Sequence, residues 1–191
     1  MEGQFFAYLS RMKYIHRWAL MHSTRAETLS EHTLGTAVLT HALCALHNHY
    51  FGGQVDAGQA VLCALYHDAA ETITGDLPTP VKYYSPRIRE AYGELEQAAG
   101  ERLLQMLPES LRGAYRACFC CPDAQIARFV KAADKLSALI KCIEEERMGN
   151  REFSCAKQST LEALQAMELP EVELFLTRFL PPYQLALDEL G

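Results

Sequence analysis

Four side chains of metal-ligand type interrupt stretches that are otherwise apolar: His32, the adjacent pair His67-Asp68, and Asp134. A carboxylate or charged imidazole left unpaired in a core is costly. A divalent cation removes that cost by coordinating the ionised group. Two imidazoles and two carboxylates suit manganese, iron, cobalt, zinc or nickel better than calcium, and the lack of thiolate among them argues against a structural zinc site. Taken singly, each has a plainer reading. A lone helical histidine is usually a satisfied core or surface group, and Asp134 could pair with Lys131 or Lys141 at a helix edge. The combination, on three separate predicted helices, favours a metal centre.

Glu71 follows His67 by four residues and Asp68 by three, so on a helix it projects from the same side as both. A carboxylate beside the metal, rather than on it, could orient a water or carry a proton. An exposed glutamate in the last helical turn is the alternative.

Helices must position these groups, because strand signals are almost absent and helical periodicity fills the chain. A first helix is predicted over Gln4 to Tyr14, with Phe5, Phe6, Leu9 and Met12 on one face. Residues His16 to Leu29 are irregular and hold the single tryptophan. Thr28 and Glu31 form a capping-box pattern. It opens a helix carrying His32, with Leu34, Val38, Leu39, Leu43 and Leu46 apolar on nearly every side, as for a central buried helix. Asp56 caps a third helix reaching about Ile73, late in which His67-Asp68 falls. Gly75 ends it, and the prolines make Asp76-Leu77-Pro78-Thr79-Pro80 a loop. Ser85-Pro86 restarts a helix to Leu107, and a shorter one spans Glu109 to Phe119. Asp123 caps a long helix to Met148 that carries Asp134, closed by Gly149-Asn150. Helices near Ser154 to Glu168 and Glu171 to Leu180 complete an all-α, compact globular bundle of six to eight helices.

The 191 residues suit a single domain over 1–191, long enough to bury a core without disulfides. The net charge of -6 and the lack of a Lys/Arg cluster weigh against duplex nucleic acid, but not against a small phosphate compound. No apolar run approaches the ~20 residues of a membrane span, and no secretory leader is visible. Seven scattered cysteines suit a reducing cytosol, which makes the expected location cytoplasmic. The run Cys118, Cys120, Cys121 lacks a second cluster and reads as buried or incidental thiols.

The chain resembles the HD-domain superfamily of metal-dependent phosphohydrolases, and more narrowly the bacterial HD-domain 5'-deoxynucleotidases. The likeness is carried by Phe5-Phe6-Ala7-Tyr8-Leu9-Ser10-Arg11, Arg17-Trp18, Ser30-Glu31-His32, and Tyr66-His67-Asp68 with Glu71. It continues through Thr74-Gly75-Asp76-Leu77-Pro78-Thr79-Pro80-Val81-Lys82-Tyr83 and Lys131-Ala132-Ala133-Asp134. The Gly-Asp-Leu-Pro-Thr-Pro-Val-Lys run is the specific part; an isolated His-Asp pair would mean nothing.

That resemblance implies hydrolysis of deoxyribonucleoside 5'-monophosphates to deoxynucleoside and inorganic phosphate by a metal-activated water. It assigns His32, His67, Asp68 and Asp134 to the metal and Glu71 to catalysis. It assigns Arg17, Trp18, His32, Asp76, Leu77, Pro78, Thr79 and Asp134 to the substrate. Arg17 would hold phosphate as a planar multi-donor cation. Trp18 would press where a ribose 2'-hydroxyl would be, giving a clear but incomplete preference for deoxyribose. Lys82 is a weaker candidate for phosphate attraction. A homodimer is implied as well. Residues 114–125, with their three cysteines, depart from the family pattern. Two other readings compete: an HD phosphohydrolase for a diester, triphosphate or regulatory nucleotide, and a non-catalytic metal-stabilised module. The Trp18 and Gly75-to-Tyr83 signatures oppose the first, and Glu71 opposes the second.

Overall fold

A computed structural model describes residues 3–191, and it is all-α; among them the only β-type pairing is one isolated bridge, His16 with Thr28. The α-helices are α1 (Phe5–Leu9), α2 (Leu29–Tyr50), α3 (Ala57–Tyr66), α4 (Glu71–Thr74), α5 (Thr79–Lys82), α6 (Pro86–Gln105), α7 (Glu109–Cys120), α8 (Ala124–Arg147), α9 (Ser154–Gln165) and α10 (Pro170–Arg178). Seven of these have nine residues or more. No described helix is long and apolar enough to cross a membrane.

The helix starts follow their caps. Thr28 accepts from the Glu31 amide while the Glu31 carboxylate accepts from the Thr28 amide, the reciprocal capping box that opens α2. Asp56, Ser85 and Asp123 cap α3, α6 and α8 through their side-chain oxygens.

Two apolar clusters hold the bundle. The larger joins α2, α3 and α8 through Leu39, Leu43, Cys63, Ala64, Phe129, Ala133 and Leu136, with Leu164 and Phe175 closing it from α9 and α10. The smaller packs Phe5 and Ala69 against Leu103, Leu104, Met106 and Leu107. Ala64 belongs to the first and Ala69 to the second, so His67-Asp68 lies at the seam between them.

Several expectations are corrected. The third helix does not run to Ile73; it stops at Tyr66, and His67 to Ala70 form turns before α4. Amides there reach three residues back, Glu71 to Asp68 and Thr72 to Ala69, the tighter winding of a 3-10 helix. The first helix likewise changes to 3-10 winding at Ser10–Tyr14, and Phe6 faces solvent. Thr79–Lys82 is a helical turn, because Pro80 falls in its first turn, where no amide is needed. Nor is α2 buried all round: Leu34 and Val38 are 63% and 62% exposed. The α6 face is also looser, with Leu95 exposed and Ile88 at the edge of exposure.

Candidate active site

Three of the four predicted ligands converge. One donor atom each from His32, His67 and Asp68 lie within 4.8 Å of one another, which is the only such group of three or more among the described residues. His32 comes from the first turn of α2, fully buried, and His67-Asp68 from the turn after α3. Asp134, from the middle of α8, joins through His32: its Oδ1 lies 3.1 Å from His32 Nε2, although its side chain is 38% exposed. It does not fall within the mutual distance that unites the other three.

The imidazoles are oriented for ligation. His67 Nδ1 donates to the Ala64 carbonyl at 2.7 Å, so the neutral ring presents an unprotonated Nε2. His32 Nδ1 hydrogen bonds Ser137 Oγ at 3.1 Å, which turns its Nε2 toward Asp68 and Asp134. His67 Nε2 approaches Asp68 Oδ2 to 3.0 Å, yet this buried nitrogen has no hydrogen-bond partner. Two groups aimed at one point without bonding each other is the arrangement expected of ligands to a shared ion. On that observation the residues fit a divalent metal.

The charges agree. Burial opposes the His67 imidazolium, but Asp68 and then Asp134 outweigh it and raise His67 to about 9. Burial would raise Asp134, yet the hydrogen bond and charge of His32, then His67 and Arg17, hold it well below the usual carboxylate range. Asp68 is likewise lowered, with His67 overcoming burial.

Glu71 sits inside the same field. It is 6% exposed, and its Oε2 is buried without a hydrogen-bond partner. Burial first, then the charges of Asp68 and Asp76, push its carboxyl up to about 9. The tight turn explains the closeness to Asp68, because residues three apart eclipse in 3-10 winding.

The predicted substrate residues fall on two sides. Arg17 leads from the centre into the irregular segment: its Nη1 lies 3.7 Å from Asp68 Oδ2, and its Nε donates to Glu27 Oε2 at 3.3 Å. Trp18 takes a left-handed backbone, φ 62°, a strained conformation for an aromatic residue. Its Nε1 donates to the same Glu27 oxygen at 2.8 Å, and its ring packs on Phe153 at 5.1 Å. On the other side Gly75, at φ 76° and ψ 162°, turns the chain into Asp76, Leu77 and Pro78, with Thr79 opening α5. Asp76 feels Arg17 and Asp68, so this loop borders the centre, and burial raises its carboxyl. Lys82 is engaged elsewhere, donating to Glu96 at 2.8 Å.

Several residues had no clear sequence signal. Glu27 lies in an aperiodic stretch, and Lys141 with Glu145 looks like an ordinary solvated i, i+4 pair. Both members of that pair are buried. Cys63 joins Cys118 and Cys121 on a cavity of about 260 Å³ beside His67 and Asp134. Burial, then contact with Cys63, pushes the Cys121 thiol up to about 12, which makes it a poor nucleophile. All seven cysteines are free.

The fold is that of one class of proteins, the HD-domain phosphohydrolases. Solved HD-domain phosphohydrolases share the fold. One from Listeria innocua is 24% identical with a TM-score of 0.83, covering 94% of this chain and 88% of that one. A cyanophage S-2L HD phosphohydrolase, solved bound to dA and one catalytic Zn2+ ion, is 19% identical with a TM-score of 0.68, covering 95% and 99%. Within that class the chain belongs to the family described as 5'-deoxynucleotidase YfbR-like, whose pattern matches residues 4–183. A 5'-deoxynucleotidase of Vibrio vulnificus is 44% identical, with 100% of this chain and 99% of the relative covered. One of Photorhabdus temperata is 45% identical, with 99% and 97% covered.

Proposed function

We propose that this chain hydrolyses deoxyribonucleoside 5'-monophosphates to the deoxynucleoside and inorganic phosphate. The observation that carries the reading is the convergence of His32, His67 and Asp68 with an unpartnered His67 Nε2, in a chain of the 5'-deoxynucleotidase YfbR-like family. His32, His67, Asp68 and Asp134 would hold the metal, with cobalt, manganese, zinc, iron or nickel suited to that donor set. When bound, the ion supplies Lewis-acid polarisation of the phosphoryl group and acidifies water.

The protein's own groups do the rest. Arg17 offers a planar set of donors to the phosphate, beside Asp68. Glu71, a buried carboxyl raised by its surroundings in the ion-free chain, is suited to give a proton to the departing 5'-oxygen or to orient water. Trp18 walls off the 2' position, a form of discrimination worth roughly a hundredfold for one hydroxyl. Asp76, Leu77, Pro78 and Thr79 border the nucleotide, Asp76 and Thr79 with hydrogen-bonding groups and Pro78 as a stiffener. A homodimer is part of the reading, supported by the exposed Leu34 and Val38 on α2, and sedimentation reads that assembly directly.

Phosphate release from matched deoxy- and ribonucleoside monophosphates, with and without chelator and added cobalt or manganese, tests the function. Metal-dependent hydrolysis with a clear deoxy preference is expected. Activity that survives verified metal stripping overturns the mechanism, and equal rates on both sugars overturn the role given to Trp18.

A further inference from the structure

Neither Arg17 nor Trp18 stands in place unaided. Trp18 holds a left-handed backbone that a bulky residue adopts only when its surroundings impose it. Phe153 packs against the ring, tilted by 58° with the centroids 5.1 Å apart. Arg17 Nη1 faces Asp68 at 3.7 Å, and Asp134 and Asp76 also attract the guanidinium, so without a tether on its far side it would be drawn onto the carboxylates of the centre and become less available to a phosphate.

One oxygen addresses both problems. Glu27 Oε2 accepts from Trp18 Nε1 at 2.8 Å and from Arg17 Nε at 3.3 Å, in a part-buried setting. The backbone repeats the pairing: the Arg17 amide donates to the Glu27 carbonyl at 3.0 Å, and the Leu29 amide to the Ile15 carbonyl at 2.8 Å. Holding Arg17 by its Nε leaves Nη1 directed at Asp68. The segment that carries Glu27 is footed on α8. Two residues earlier the Arg25 amide donates to buried Glu145, and so do the Thr24 amide and hydroxyl, at 2.8 Å each. Asn150 donates to that same carboxylate and to the His22 carbonyl.

We propose that Glu27 is the positioning residue of the substrate site, setting Trp18 for sugar selection and Arg17 for phosphate capture. The proposal rests on the reading that Arg17 and Trp18 touch the nucleotide. Glu27 touches neither the phosphate nor the sugar; it acts through its two neighbours.

Trp18 is the protein's single tryptophan, so intrinsic emission and acrylamide quenching report on it alone. Glu27→Leu removes both hydrogen bonds. It is expected to red-shift the emission, to increase quenching, and to cut the deoxy-to-ribo ratio in kcat/KM by roughly tenfold, within what packing against one hydroxyl supplies. Glu27→Gln keeps an acceptor for the indole but loses the charge. It is expected to preserve emission and sugar ratio while raising KM, because Arg17 is loosened. Metal bound per chain should be unchanged in both. A folded Glu27→Leu with native emission, quenching and sugar ratio overturns the proposal. Should the leucine variant not fold, a native KM in Glu27→Gln overturns it, and a raised KM with native emission supports it. Trp18→Ala and Arg17→Ala in the same assay separate the two ideas. If both leave sugar ratio and KM untouched, the substrate reading fails, whereas the Glu27→Leu emission still decides whether Glu27 holds Trp18.

Discussion

At the scale of single residues, Glu71 combines two facts that a structural role does not explain: a buried oxygen with no partner, and a carboxyl raised to about 9. A glutamate kept only for packing would lose energy at that place, since an unsatisfied buried polar atom is a cost without a return. Glu71→Gln keeps the shape and removes the titrating proton. Turnover is expected to fall about 10²- to 10⁴-fold, the usual worth of a placed acid or base. Metal content, read by elemental analysis of the same sample, should stay native. A variant that retains turnover removes Glu71 from the chemistry. The residues readable in the sequence were those whose type clashed with their surroundings: His32, His67 and Asp68 stood out as polar groups in apolar helices. Glu27 stood in an aperiodic segment where no pattern could be broken. Lys141 and Glu145 were hidden for the opposite reason, because each neutralises the other at a spacing common on solvated helix faces.

At the scale of elements, caps and long apolar stripes were legible, because a capping box or an Asp before a periodic run has one local meaning. The His67 turn was not, because nothing in the Tyr66-to-Glu71 composition forbids continuing the helix. The break comes from packing, with Ala64 and Ala69 serving different cores on either side. Leu34 and Val38 were misread for a similar reason: apolar character on every side of α2 does not say which side the rest of the chain covers. Gly75 is the hinge between this turn and the Asp76 loop. Its φ of 76° with ψ of 162° is a region open to glycine almost alone, and a Cβ there meets nothing within 4 Å. Gly75→Ala therefore isolates backbone strain from steric clash. The variant is expected to lose about 1–3 kcal/mol, which at this size lowers Tm by roughly 2–12 °C. If the loop relaxes instead, Tm holds and KM rises, because Asp76 leaves the border of the centre. Native values for both would show that Gly75 does not set the loop.

At the scale of the whole molecule, the centre places a net acidic cluster inside a chain that is already acidic, with formal charge -6. Metal-free stability should therefore depend on protons held there. His67 rises from 6.5 to about 9, so the stability its imidazolium contributes is complete below pH 6.5 and is lost as pH climbs through 9. Glu71 rises from 4.5 to about 9, so the unfolded chain releases that proton first and the folded state is penalised over the interval between. Both groups act in the same direction. Asp134 acts in the other, since its lowered carboxyl contributes stability above the ordinary carboxylate range and loses it on acidification. Chelator-stripped protein is therefore expected to lose Tm steadily from pH 6.5 to 9, at up to about 1.4 kcal/mol per proton for each pH unit. On the proposed ligand set a divalent ion would take the place of the His67 proton, so its binding is expected to release protons below pH 9 and to strengthen toward that limit. Adding cobalt or manganese should then raise Tm most at the alkaline end, reversing the slope of the stripped protein. Melting curves at four or five pH values, stripped and loaded, read both slopes at once. A stripped protein whose Tm is flat or rises over this interval would mean that His67 and Glu71 do not hold protons in the folded state, and the electrostatic account of the centre would fall with them.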